Sequence, residues 1–85
     1  MFRISAAIRS SSTADGAILL DVHHGKILGL NRMGSTIFQM LERGLDTDQI
    51  AAEISREFGV KIEVVHADVL EFIENLQQRD VLQAG

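Results

Sequence analysis

The chain has 85 residues, 46% of them apolar, no cysteine and a formal net charge of −4. One small domain spanning 1–85 is expected from that length, and the apolar share is too high for a disordered chain. The missing cysteines exclude a disulfide framework and a thiolate metal site.

In chain order, the N-terminal stretch MFRISAAIRSSSTADG lacks the apolar core of a secretory signal, and nothing approaches the length of a membrane span. A cytoplasmic, membrane-free protein is expected. Ile4, Ala6 and Ile8 alternate with Arg3, Ser5, Ala7 and Arg9, which predicts a strand over 3–9. Ser10–Gly16 is polar, ends in Asp-Gly and is expected to be a loop. Ala17–Val22 is rich in branched aliphatics and predicts a second strand. His23–Gly25 is a short glycine-containing turn, and Lys26–Leu30 returns as the third strand. In that strand Leu28 and Leu30 share one face, and Ile27 and Gly29 share the other.

Asn31 stands where a helix N-cap belongs. Met33, Ile37, Met40 and Leu41 follow at helical spacing and predict a helix over 32–43, with Gly44 as its terminator. Asp46 or Thr47 caps the next helix, 47–58, and Gln49 completes a capping box with Asp46. Gly59 ends it. A third helix is predicted over 63–79. Val65, Val69, Phe72 and Leu76 cluster within about 60° of its circumference. Ile73 and Leu70 widen the apolar arc to roughly 160°, more than one core face requires. The surplus suits either a second neighbour in the fold or a strip facing a partner. Strands first and helices after, without alternation, predict an α+β fold.

Charge is divided along the chain. Residues 1–43 carry five basic and three acidic residues, and residues 44–85 carry three basic and nine acidic. Three consecutive helices allow a winged helix-turn-helix that binds DNA. The last helix, however, carries Glu63, Asp68, Glu71 and Glu74 and no cation before Arg79, the wrong sign for a phosphate backbone.

Chemistry is sparse. His23 and His24 are adjacent, so their side chains diverge, and no further ligands stand near them to complete a zinc site. Ser10–Ser12 lack the surroundings of a nucleophile elbow. The glycines form no phosphate-binding pattern. A non-enzymatic chain without cofactor or metal is expected.

Three segments carry a family resemblance: GAILLD…GKILGLN…G, LERGLDTDQIAAEISREFGV and ADVLEFIENLQQRDVL. Over residues 15–82 they resemble the PqqD-like proteins. These are peptide chaperones named after pyrroloquinoline quinone biosynthesis, also called RiPP recognition elements. The form LLDVHHGKILGLN is most similar to the discrete leader-binding subunits of lasso-peptide systems. Asp80 departs from the pattern, since the family often has glycine there.

The resemblance implies a winged helix-turn-helix with a three-stranded antiparallel sheet followed by three helices. It implies that the leader of a ribosomally made precursor peptide adds as a strand to the third strand, in a groove beside the third helix. Carried onto this sequence, the peptide-binding residues are Lys26, Ile27, Leu28, Gly29 and Leu30 on the strand, and Val65, Asp68, Val69 and Phe72 on the helix. The implied partners are the leader and a separate leader peptidase and cyclase, or a radical-SAM modifying enzyme. No nucleic acid is expected, and the chain would be a monomer or weak homodimer. A DNA-binding or self-associating structural domain is the alternative.

Overall fold

The computed structural model describes residues 2–84. Four strands come first: β1 (Phe2–Ile4), β2 (Ile8–Thr13), β3 (Gly16–Asp21) and β4 (Lys26–Asn31). Three helices follow, α1 (Arg32–Glu42), α2 (Thr47–Phe58) and α3 (Ile62–Gln78), and then a short β5 (Leu82–Ala84). Strands β2, β3 and β4 form an antiparallel sheet in that order, and β1 pairs with β5 in a separate two-stranded ribbon. This is the expected α+β architecture of a three-stranded sheet followed by three helices.

Two expectations for the N-terminal region are corrected. The strand predicted over 3–9 is two strands, broken by a turn in which the Ile8 amide donates to the Ser5 carbonyl at 3.1 Å. Ile4 and Ile8 both pack against the core from different sheets, which imitates the alternation of one strand. The loop predicted over Ser10–Gly16 is strand as far as Thr13, paired with β3 from Ile8↔Asp21 to Thr13↔Gly16. Ser10–Thr13 are exposed on both faces, so no apolar alternation marks them. Backbone pairing alone holds them, as suits a polar edge strand.

The inner face of the sheet follows the two-residue period of a strand. Ala17, Leu19 and Asp21 are buried, and Ile18 and Leu20 between them are exposed. Leu19 sits in one core with Ile37, Phe38 and Leu41 of α1, Ile50 and Ile54 of α2, and Val69, Ile73 and Leu76 of α3. Gly16 lies directly against the backbone of β4. A Cβ there would lie 1.9 Å from the Leu30 carbonyl oxygen, so only glycine fits.

The helix ends follow their sequence signals. The Asn31 side chain accepts from the Gly34 amide at 2.8 Å. Asp46 and Gln49 form the reciprocal capping box. At the exit of α3 the Val81 amide donates to the Leu76 carbonyl and the Asp80 amide to the Gln77 carbonyl. This is a Schellman motif, with the buried Val81 and Leu76 side chains as its apolar pair. Asp80 takes the left-handed conformation the motif requires, φ 59°. Glycine adopts that conformation freely and aspartate tolerates it, so the departure at this position leaves the helix exit intact.

Candidate functional site

The third strand of the sheet has one paired and one open margin. β4 pairs with β3 from Asp21↔Lys26 to Gly16↔Asn31. Among the described residues no strand pairs with its other side. The C-terminal strand closes on β1 instead, with Phe2↔Ala84 and Ile4↔Leu82. An unpaired margin presents a row of free amides and carbonyls.

The start of β4 is fixed by the hairpin before it. The carboxylate of Asp21 accepts from the backbone amides of His23 and His24 at 3.0 and 3.1 Å, and His24 Nδ1 lies 2.8 Å from its second oxygen. The His24 ring is the main influence holding the Asp21 carboxyl below its ordinary 3.8, aided by the two amides and opposed by burial. A depressed carboxyl stabilises the fold above its unfolded value and loses that contribution as acid protonates it. Wild type is therefore expected to melt higher than Asp21→Asn above pH 3.8, with the gap closing as pH falls below it. Thermal melts across the acid range check this; a gap that widens toward low pH contradicts it.

Along β4 the side chains divide as the strand period demands. Leu28 and Leu30 are half-buried against the core, and Lys26, Ile27 and Gly29 are exposed. Ile27 is 73% exposed, beside Leu20 on the outer face of the sheet. α3 runs next to this strand and supplies the second wall of a groove of about 370 Å³. Leu28, Gly29 and Leu30 form one wall; Asp68, Glu71, Phe72, Asn75 and Leu76 form the other. Leu28 also lines a second cleft of about 370 Å³ toward the hairpin end. That cleft lies between Lys26–Leu28 of the strand and Gln78–Asp80 at the end of α3, and Ile8, Leu19, Asp21, His24 and Val81 also line it. The two clefts share Leu28, and the groove between β4 and α3 forms a trough beside the open margin. Leu28, Leu30, Phe72 and Leu76 give the trough an apolar lining and Asp68 and Glu71 an acidic side; neither carboxylate takes part in an ion pair among the described residues.

The structure thus brings Leu28, Gly29 and Leu30 together with Asp68 and Phe72, whereas Lys26 and Ile27 lie at the hairpin-end cleft. Val65 and Val69 lie away from both clefts. They are 5% and 1% exposed and belong to the core. The apolar arc of α3 is shared: its centre faces the core, and Phe72 at its edge faces the trough. Asn75, Gln78 and Arg79 were not anticipated. They extend the line of Asp68 and Glu71 at helical spacing, a polar stripe bordering the arc. Among the described residues no group of three potential ligands stands together to hold a metal, and no helix is long and apolar enough to cross a membrane.

Comparison with known proteins places these features. The family model described as Coenzyme PQQ synthesis protein D (PqqD) matches residues 16–82. TbiB1 in complex with the TbiA(beta) leader peptide superposes with a TM-score of 0.91 at 30% identity, over 98% of this chain and 96% of that one. Lasso peptide synthetase B1 complexed with the leader peptide superposes with a TM-score of 0.90 at 24% identity, over 98% of each chain, a likeness of fold. No curated protein matches the chain.

Proposed function

The chain belongs to the PqqD family, and on that premise we propose that it captures the leader segment of a ribosomally made precursor peptide by adding it as a strand to β4. The observation that carries this reading is the open margin of β4 lying beside an apolar trough. β-augmentation needs both parts: backbone groups for affinity and pockets for alternate side chains.

Magnitudes show why the trough matters. About four backbone hydrogen bonds, each worth roughly 1 kcal/mol net, barely offset the roughly 2–5 kcal/mol needed to order a flexible leader. Affinity then depends on apolar side chains entering the trough, at about 1.5–3 kcal/mol for each one fully buried. Gly29 adds nothing to the fold through a side chain, and a Cβ there would meet no atom within 4 Å. Its bare backbone leaves room for a guest strand to approach. The acidic pair Asp68 and Glu71 favours a guest with a basic residue at that end.

The chain carries out no reaction of its own. It works in the cytoplasm and presents the rest of the precursor to a separate leader peptidase and cyclase, or to a radical-SAM enzyme, raising the effective concentration at that partner. The exposed carboxylates Glu63, Asp68, Glu71 and Glu74 of α3 speak against a nucleic-acid partner.

The test is calorimetric titration with a synthetic leader taken from a small precursor reading frame, to be sought beside the gene, backbone N-methylated at one residue at a time. Methyl groups at alternate positions are expected to weaken binding about fivefold or more each, because each removes one hydrogen bond. The positions between them are expected to tolerate methylation. Equal tolerance at every position rules out strand addition.

A further inference from the structure

Behind the trough, the first turn of α1 holds a glycine where a helix gains nothing from one. Gly34 is buried at the third helical position, and its amide is the donor to the Asn31 cap. Alanine is the better helix former there, and glutamate or glutamine the usual capping-box partner. What sets this position apart is its surroundings. A Cβ on Gly34 would lie 3.1 Å from Cε1 of Phe72, 3.4 Å from the Asn31 side-chain oxygen and 3.5 Å from Leu30 Cβ. Only the first is tighter than ordinary contact, and it asks the ring edge to give by a few tenths of an ångström. Leu30 and Phe72 belong to opposite walls of the trough, so Gly34 lies where the end of β4, the start of α1 and the middle of α3 meet.

We propose that Gly34 is the positioning residue that sets the depth of the trough: its missing side chain lets the Phe72 ring lie back against α1, and any side chain there drives the ring into the space the guest strand needs. This inference rests on the leader-capture reading above. The direction of the displacement follows from packing. Phe72 contacts the close-packed core on its inner side, which does not yield. Its remaining freedom is toward the trough it lines. The backbone of Gly34 itself needs no special conformation, since its φ is not positive. Alanine is therefore compatible with the helix, and its effect falls on the ring.

Two measurements on Gly34→Ala test this. The first needs no ligand. Fluorophenylalanine labelling gives four ¹⁹F resonances, one for each Phe in the chain. The Phe72 resonance, assigned through Phe72→Leu, is expected to shift and to gain solvent exposure, with Phe2, Phe38 and Phe58 unchanged. The second is titration with the same synthetic leader. Gly34→Ala is expected to bind about tenfold more weakly than wild type, whereas in a Phe72→Leu background it costs under about twofold, because the shorter side chain leaves nothing to displace. An unmoved Phe72 resonance, unchanged affinity or losses that simply add in the double variant each overturn the proposal. So does a Gly34→Ala chain that fails to fold even with leucine at position 72. If wild type itself does not bind the leader, the capture reading fails, and the ¹⁹F shift still decides whether Gly34 controls the ring.

Discussion

Phe72→Asp is expected to weaken leader binding between about tenfold and a hundredfold while the chain remains folded. The lower figure is the lost burial of one apolar contact in the trough, about 1.5 kcal/mol, and the upper approaches the value for full burial, about 3 kcal/mol. A carboxylate here also stands beside Asp68 and Glu71, so like charges crowd one wall of the trough. The fold survives because Phe72 is half-buried and the new charge has an open side toward water. Titration with the synthetic leader, paired with a circular dichroism melt, checks both halves. A folded Phe72→Asp chain with wild-type affinity removes α3 from the binding surface.

Val69→Asp, one turn earlier on the same helix, is expected to act in the opposite manner. Val69 is 1% exposed in the centre of the core, where a carboxylate has neither water nor a partner. The cost is on the order of 4 kcal/mol. At about 4–8 °C per kcal/mol for a domain of this size, that lowers the melting temperature by about 16–32 °C. The loss is a large part of what a small domain has in reserve. Loss of leader binding by this variant therefore reports unfolding, not contact with the guest. A Val69→Asp chain that melts within a few degrees of wild type would show that this face of α3 is not core.

The contrast between these two residues marks how far the sequence was legible. Helical spacing identified α3 and a wide apolar arc that includes both Val69 and Phe72. It did not show where the core ends along the arc, because that depends on which neighbour lies at each flank, and β4 reaches its place only through the tertiary fold. The strand side of the trough was plainer. Lys26–Leu30 alternates, follows a glycine turn and runs into a capping asparagine, so its place and its faces were both evident. The helix ends were equally evident, because Asn31, Asp46 with Gln49, and Gly59 act through local geometry alone. β2 was obscured for the reverse reason. A strand that buries almost no side chain leaves no hydrophobic trace, and Ser10–Thr13 are held by backbone pairing that composition does not encode. β5 is three residues long and is specified by its pairing with β1, a contact between opposite ends of the chain.

The walls of the trough come from β4 and α3, which are separated in the chain by the whole of α1 and α2. No local fragment carries both, so recognition is a property of the assembled molecule and disappears on unfolding. A guest that binds only the assembled form draws the folding equilibrium toward it by mass action. Each occupied molecule is thereby protected from heat and from proteases that attack loosened chains. In a population of variants, sorting for retained cargo also enriches for sound cores, even where the altered residue never touches the cargo.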